Sequence, residues 1–273
     1  MTESSTTMSN NVHARVSAVP GRIQSVERAA AILRLLASGA RQLGVVELAN
    51  ALQLPKGTVH GILQTLQHVG FVEQSRSGGK YRLGAALLHL GNSYLDVNEL
   101  RTRALNWADS LASRSRESVR IGSLHEGQVL VVHHVFRPDD SLQVLEVGAL
   151  LPAHASALGK VLLAFDLQGE SLLDELALKR FTARTLTTRR ALTDDLERVR
   201  KLGWGAEVEE MIDGEAAVAA PIHDDRGIAV GAIGVSGAIE RVCDENGKPR
   251  LDLVSTVRDA ARSISRNLGA RKW

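Results

Sequence analysis

The sequence predicts a mixed fold in two parts, a small helical domain with a β-hairpin followed by a larger α+β domain. Two short amphipathic helices and a hairpin pattern lie within residues 44–84, and short strands bounded by helices follow from residue 117. The chain has 273 residues, of which 44% are hydrophobic, so it is long enough to bury a core in each part.

The N-terminal segment and the composition indicate the compartment. Residues 1–20 are rich in Ser, Thr and Asn and contain no apolar run of signal-peptide length, so they predict a disordered arm. No stretch approaches the roughly 20 apolar residues that a membrane helix needs. The single cysteine, Cys243, can form no internal disulfide. We therefore expect a soluble cytoplasmic protein.

Three helices are predicted before the hairpin. The first is expected to have Ser25 as its N-cap and to stop at Gly39. The second and third fill residues 44–66 and are joined by a bend at residues 53–55. Helical spacing predicts that the third helix buries one stripe, which consists of Val59, Ile62, Leu63 and Leu66.

The opposite face of the third helix consists of polar residues and glycines. Pro55 suits a first helical position because its missing N–H would be unbonded there, and the free N–H groups of a helix start favour a phosphate. A polar helix after a tight bend is typical of helix-turn-helix proteins, which insert it into the major groove of DNA. The residues expected to contact DNA from this helix are Lys56, Thr58, His60 and Gln64.

A basic hairpin follows, with strands at residues 71–74 and 80–83 around a Gly78-Gly79 turn. Three helices and such a hairpin make a winged helix-turn-helix, which we assign to residues 21–83. The hairpin charges either bind DNA or keep an edge hairpin soluble. Further DNA contacts are expected from Arg22 in front of the first helix and from Arg76 and Lys80 in the hairpin.

The distribution of charge supports a nucleic-acid partner for the N-terminal part. Up to Leu95 the chain has nine Lys and Arg residues against four Asp and Glu, a balance of +5. The remaining residues have 24 against 27, a balance of −3, and the whole chain carries only +2. Because attraction to phosphates is independent of sequence, this asymmetry predicts DNA binding without naming an operator.

Residues 84–100 predict a linker helix with an apolar stripe that includes Leu87, Leu90 and Tyr94. Either a second copy of the chain or the rest of the same chain could cover this stripe. A two-fold dimer would match a palindromic operator.

Residues 101–273 predict an α+β domain in which helices cover one sheet. A turn at residues 223–227 joins the last two strands. Strands are expected at residues 118–124, 128–135, 142–148, 216–222 and 228–237, and helices at residues 157–165, 170–178, 193–202 and 251–268.

Two segments of this second domain, residues 151–164 and 203–237, closely resemble the effector-binding domain of the IclR family of bacterial transcription regulators. Residues 23–36 and 81–84 match the winged-helix domain of that family in order and spacing. Within the family, the branch that regulates glycerol operons is the most similar, through residues 56–63, 94–101 and 132–141.

The resemblance implies a GAF-like sensor fold, a dimer or a dimer of dimers, and a repressor or activator that a small metabolite switches. Glycerol or glycerol 3-phosphate is the expected effector; a small carboxylic or aromatic acid and a DNA-binding protein without a ligand are the alternatives. The implied effector-binding residues are Ala157, Leu158, Glu207, Glu215, Ala217, Gly234 and Ser236.

The sequence departs from its relatives at a few positions. Gly61 replaces the Arg of many relatives in the third helix, which removes one possible DNA contact. Ala217 and Gly234 replace small polar groups of an acid-sensing relative, which argues against a simple transfer of its carboxylate ligand.

The start of the helix at Ala157 leaves several roles open. Its free N–H groups could bind an anion or a hydroxyl, or Ser156 could cap them. Lys160 could attract a phosphate or extend into water. Strand alternation predicts that Glu207 and Glu209 share one face and that Glu210 lies on the other.

The candidate catalytic and metal-binding residues form no motif. His133 and His134 are adjacent in a strand and should point to opposite faces, and no HExxH or CxxC pattern occurs. His154 is either a ligand or a structural histidine, and Cys243 has no evident base partner. We therefore expect neither an enzyme, nor a metal site, nor a cofactor.

Overall fold

The computed structural model describes residues 23–37, 42–75, 79–139, 141–165 and 169–271. It separates into two compact units, with the boundary between Ser93 and Tyr94. Several predicted features lie outside the described residues, namely the arm at residues 1–20, Arg22, Gly39, Arg76 and Gly78.

In its described residues the first unit contains three helices and a hairpin, as predicted, followed by a helix that crosses the unit boundary. The helices pack around a core that includes Ile32, Leu48 and Tyr81, and the third helix buries Val59 and Leu63 completely. The elements are α1 (Gln24–Ala37), α2 (Val45–Leu52), α3 (Lys56–His68), β1 (Val72–Gln74) and β2 (Tyr81–Leu83).

Backbone geometry fixes the bends between these elements. Gln53 adopts a left-handed conformation with φ 52° and ends α2, while Gly44 donates its N–H to Glu47 Oε2 at 2.6 Å in front of α2. A Cβ on Gly84 would lie 2.2 Å from the carbonyl oxygen of Gly70, so only glycine allows the chain to pass there. The hairpin is thereby held against the end of α3.

Two predicted helix starts in the first unit are wrong, by two residues for the first helix and by one residue for the third. Ser25 lies inside α1, because the carbonyl of Ile23 already accepts the first helical hydrogen bond from Glu27. Pro55 is the N-cap of α3 and not its first residue, since its ψ of 136° is extended while its carbonyl accepts from Val59. The residues that precede the two helices, Ile23 and Pro55, have no polar side chain. The sequence therefore shows no capping residue at these positions.

The second unit is an antiparallel six-stranded sheet with helices on both faces. The strand order is β5-β4-β3-β8-β7-β6. The strands are β3 (Ser118–His125), β4 (Gln128–Val135), β5 (Leu150–Pro152), β6 (Gly205–Val208), β7 (Glu215–His223) and β8 (Ala229–Ala238). The helices are α4 (Ala85–Val97), which contains the unit boundary, α5 (Glu99–Ser115), α6 (Ala157–Phe165), α7 (Gly169–Glu175), α8 (Arg189–Leu202), α9 (Ile239–Val242) and α10 (Leu251–Asn267).

The two faces of the sheet bury separate cores. Helices α5 and α10 pack on one face, where Ile121, Val218 and Ile233 are fully buried. Helices α6 and α8 pack on the other face around Val161, Leu196 and Ala219. This confirms the predicted architecture of one sheet covered by helices, and it places α6 directly over the middle strands.

Three predicted elements of the second unit need correction. Residues 142–148 form no strand; they lie in a loop in which Leu142 and Val144 are exposed and the Gln143 side chain bonds to the backbone of Arg137. Helix α8 begins at Arg189 instead of residue 193, because the hydroxyl of Thr188 caps it by accepting from Ala191 N. Helix α7 ends at Glu175 instead of residue 178.

Candidate nucleic-acid interface and effector cavity

The exposed face of α3 is the candidate nucleic-acid interface. The side chains of Lys56, His60 and Gln64 are exposed, and that of Thr58 is half-buried. A Cβ on Gly61 would meet nothing within 4 Å, so the backbone on this side of the helix is open to solvent. An open backbone with polar neighbours is what close approach to a DNA groove requires.

The basic side chains of the hairpin are partly neutralised within the first unit. Lys80 Nζ lies 3.6 Å from Glu47 Oε1, and its side chain remains 48% exposed. Arg82 donates to Glu73 Oε2 from both Nε and Nη2, at 3.1 and 2.9 Å. Lys80 therefore keeps access to solvent while part of its charge is shared with α2.

All of the residues predicted for the effector site line a single small cavity of about 30 Å³. It lies between the start of α6 and the strands β6, β7 and β8. Sequence reasoning missed Arg120, Leu151, Met211, Val218 and Val235, which also line it, and had considered Ser156 only as a helix cap. Arg120 stands in the middle of a strand, where only the sheet register reveals that it reaches β8.

Ser156 caps α6, which was one of the two predicted roles for this helix start. Its Oγ accepts from Gly159 N at 3.2 Å and donates to the carbonyl of Pro152 at 2.8 Å. Ser156 thus uses one of the donors at the helix start. A Cβ on Gly159 would lie 2.3 Å from the backbone of Ala153, so glycine lets α6 fold back tightly against the preceding turn.

Lys160 extends into the core, and both predicted roles for it are wrong. Its side chain is 1% exposed, and Nζ lies 2.9 Å from Asp195 Oδ2, 2.5 Å from Glu210 Oε1 and 3.2 Å from the carbonyl of Ala206. Buried ammonium groups need such partners because water is excluded. Lys160 therefore joins α6 to α8 and to the turn after β6.

Glu207 and Glu210 lie side by side, so the predicted alternation of the three glutamates is wrong. The strand β6 ends at Val208, and Glu209 turns the chain with φ 56°. Glu210 then returns and donates its N–H to Glu207 Oε2 at 3.0 Å. Burial raises the pKa of Glu207 to about 7, and burial also raises the pKa of Glu210 in spite of Lys160.

The pKa of Glu207 predicts how stability depends on pH. Between about pH 4.5 and pH 7 the folded chain binds more protons at Glu207 than the unfolded chain, so the free energy of unfolding falls as pH rises through this range. In Glu207→Gln this loss is absent. We expect the variant to gain roughly 1–3 kcal/mol relative to the wild type at pH 8, and little at pH 5.

Denaturant unfolding at both pH values measures this effect. The exposed Glu245→Gln serves as the control and should change nothing at either pH. An equal effect of Glu207→Gln at pH 5 and pH 8 would contradict the assignment.

A larger, open cleft of about 530 Å³ adjoins the small cavity, and the two share Arg120, Glu215 and Ser236. Arg120 donates to Glu146 and to the hydroxyl of Ser236. Two further ion pairs line the cleft or its rim, Arg241 with Glu117 and Arg137 with Asp139. The guanidinium of Arg120 is thus the only cation of the cleft that also reaches the small cavity, among the described residues.

Two of the candidate histidines, His134 and His154, have structural partners, whereas the buried Nε2 of His133 has no hydrogen-bond partner within the described ranges. His134 accepts from Glu146 N at Nδ1, at 3.2 Å, so Nε2 carries the proton and donates to Ser118 Oγ at 2.8 Å. His154 Nε2 donates to the carbonyl of Lys179 at 2.9 Å. Burial lowers the pKa of both His133 and His134. The next cause is the charge of Arg101 for His133 and that of Arg120 for His134. Their different charged neighbours agree with the prediction that the two rings lie on opposite faces of β4. Within the described part of the chain no group of three or more His, Cys, Asp or Glu is placed to hold a metal ion.

Comparison with known proteins identifies the family. The model of the IclR helix-turn-helix domain matches residues 25–76, and the model of the C-terminal domain of the bacterial transcriptional regulator IclR matches residues 92–266. The chain belongs to the IclR family of bacterial transcriptional regulators. The helix-turn-helix of this IclR-family protein makes it a DNA-binding regulator of transcription, and its resemblance to regulators of glycerol operons is confirmed by its relatives.

The IclR-family relatives include two glycerol operon regulatory proteins. That of Streptomyces coelicolor is 56% identical over 251 residues, which cover 92% of this chain and 98% of the relative. That of Streptomyces griseus is 54% identical over the same share of both chains. Among solved structures, the IclR transcriptional regulator of Alicyclobacillus acidocaldarius has a TM-score of 0.77 at 25% identity and covers 91% of this chain and all of its own.

Among the described helices of this IclR-family protein, none has the length and apolar character needed to span a bilayer.

Proposed function

We propose that this IclR-family regulator is a cytoplasmic repressor that binds a palindromic operator and is switched by glycerol or glycerol 3-phosphate. The observation that carries the proposal is the cavity beside α6, which brings together the residues expected to bind an effector, including Glu207, Glu215 and Ser236. Their carboxylate and hydroxyl groups suit a small polyol. The proposal includes no catalytic step, no metal and no cofactor.

DNA contacts are assigned to the winged helix-turn-helix of residues 21–83. Residues 84–100 serve as the linker helix, and residues 101–273 as the GAF-like effector domain. The exposed polar face of α3 supports this division, since the other face of α3 is fully used by the core. The proposed contacts are Arg22, Lys56, Thr58, His60, Gln64, Arg76 and Lys80.

The effector acts by binding one arrangement of the dimer more tightly than the other. Such coupling between two sites is typically about 1–3 kcal/mol, so the effector should change operator affinity by roughly 5- to 150-fold. Operator DNA must change the effector affinity by the same factor, because the coupling is reciprocal. Filter binding of the operator with and without each compound, and calorimetry with and without the operator, measure the two factors.

Filling the cavity should abolish the response. Leu158 is 5% exposed, and the cavity has no room for a larger side chain. We expect Leu158→Trp and Ser236→Leu to lose the effect of glycerol compounds on operator binding. The exposed Leu150→Trp is the control and should respond normally. If both cavity variants respond normally, the cavity is not the effector site. If calorimetry detects binding of unrelated acids alone, the effector is not a glycerol compound.

The repressor is proposed to act as a dimer or a dimer of dimers through α4. Leu90 and Tyr94 are 52% and 51% exposed, which is unusual for large apolar side chains on one stripe of a helix. Tyr94→Glu should shift the protein toward the monomer and weaken operator binding together, because two readers are needed about one DNA turn apart. Light scattering and operator titration measure both. His89→Glu, which is exposed and lies off the stripe of Leu90 and Tyr94, should have neither effect. A monomer with full operator affinity would contradict the proposal.

A further inference from the structure

Arg120 lies where the small cavity and the open cleft meet, and its side chain is 17% exposed. Its Nε donates to a carboxylate oxygen of Glu146, and its Nη1 donates to the hydroxyl of Ser236. Glu146 comes from the loop before β5 and Ser236 from β8. The guanidinium therefore bridges the loop and the sheet at the junction of the two cavities.

Glu146 can leave Arg120 without disrupting its own loop. Its side chain is 30% exposed, so the carboxylate already borders on water. The backbone of Glu146 is held separately, because its N–H donates to His134 Nδ1 at 3.2 Å and its carbonyl accepts from Ala149 N at 2.8 Å. A change of side-chain rotamer is enough to move the carboxylate into solvent.

The size of the cavity decides which contacts an effector must break. A volume of about 30 Å³ holds a water molecule or two, and even glycerol is larger. The helix start and the middle strands are packed against buried side chains, whereas the Arg120 side opens to the cleft of about 530 Å³. An effector gains room most easily on the side of Arg120.

The charge of Arg120 then discriminates between effectors. A neutral ligand that separates Arg120 from Glu146 leaves a guanidinium that is mostly buried without its ion-pair partner, which is unfavourable. An anionic ligand replaces one carboxylate by another anion and keeps a charge-assisted hydrogen bond. A phosphate offers several acceptor oxygens to the planar guanidinium, in the geometry that arginine prefers.

The other end of the cavity suits hydroxyl groups. Glu207, which does not border the cleft, lines it and carries oxygens that accept from a hydroxyl. On this arrangement we propose that Glu146 competes with an anionic group of the effector for Arg120, so that Arg120 selects a phosphate ester of a small polyol over the neutral polyol. This inference rests on the proposed function of the cavity as the effector site.

Calorimetry with glycerol and with glycerol 3-phosphate tests the inference on the full chain. The wild type should bind glycerol 3-phosphate roughly 10- to 100-fold more tightly than glycerol, the difference expected for a hydrogen bond to a charged group. Arg120→Met should remove this preference. Glu146→Gln removes the competing carboxylate, so it should strengthen binding of both compounds several-fold and keep the preference for glycerol 3-phosphate, which comes from Arg120.

Arg137→Met is the matched control, since Arg137 also lines the cleft in an ion pair but does not reach the small cavity; it should keep the preference. A preference that persists in Arg120→Met, or weaker binding of glycerol 3-phosphate by Glu146→Gln, overturns the inference. Equal binding of both compounds by the wild type overturns it as well but leaves the proposed function standing. Binding of neither compound overturns the proposed function and the inference with it.

Discussion

Replacing Lys160 by methionine should lower the free energy of unfolding of the second unit by about 3–5 kcal/mol. The ammonium group is 1% exposed and is shared by Asp195 and Glu210, which are themselves 8% and 12% exposed. Methionine fills the space of the lysine stem, but it leaves Glu210 buried without a cation and leaves Asp195 with only its ion pair to Arg198. The loss comes from the uncompensated charges and not from an empty volume.

Tryptophan fluorescence during denaturant unfolding measures this loss. The chain has three tryptophans, Trp107, Trp204 and Trp273, and all of them follow the unit boundary, so the signal reports the second unit alone. The exposed Lys201→Met is the control and should change stability by less than about 0.5 kcal/mol.

A double variant separates charge from packing. In Lys160→Met with Glu210→Gln, one of the stranded carboxylates becomes neutral, so the double variant should be more stable than Lys160→Met alone. Strictly additive losses would show that Lys160 acts through packing. A loss below about 1 kcal/mol in the single variant would show that water reaches the cluster.

Operator binding should collapse in a variant that combines Lys56→Ala, His60→Ala, Gln64→Ala and Arg76→Ala. The first three side chains are exposed on one side of α3, and none of them contributes to the core of the first unit. Loss of base contacts costs about 1–3 kcal/mol for each good pair, and the loss of phosphate contacts adds to it. Affinity should therefore fall by several orders of magnitude without loss of the fold.

The single variants should divide into two kinds. Lys56→Ala should weaken binding to operator and to random DNA alike and reduce the salt dependence by roughly one unit of slope. Gln64→Ala and His60→Ala should instead change which operator bases are preferred. The exposed Lys248→Ala in the second unit is the charge-matched control. If the combined variant kept its operator affinity, α3 would not be the helix that contacts DNA.

Periodic burial is the part of the fold that the sequence predicts well. The stripe of α3, the bounds of β4 and the long α10 follow from spacing that one element carries by itself. Residues 142–148 show why this fails elsewhere. They are rich in apolar and β-branched residues, as strands are, but side-chain hydrogen bonds between Gln143 and the backbone of Arg137 stabilise a loop instead. Local polar contacts of this kind do not recur at a regular spacing, so the sequence pattern does not reveal them.

The site divides in a similar way. The effector residues lie together as the family resemblance implied, because the motif residues sit on neighbouring strands and on the helix above them. The burial of Lys160 could not be foreseen, since its acidic partners come from α8 and from a turn that begins at Glu209. Arg120 was missed for the same reason, because its partners lie 26 and 116 residues away in the chain.

The single cysteine of the chain makes the protein convenient for spectroscopy. Cys243 is 5% exposed, and burial raises the pKa of its thiol, so the reactive thiolate is scarce in the folded protein at neutral pH. A cysteine introduced on the surface of each unit can consequently carry a spin label or a dye while Cys243 stays in place and unlabelled. The distance between two such labels would report directly how the DNA-binding unit and the effector-binding unit move relative to each other when an effector or DNA is added.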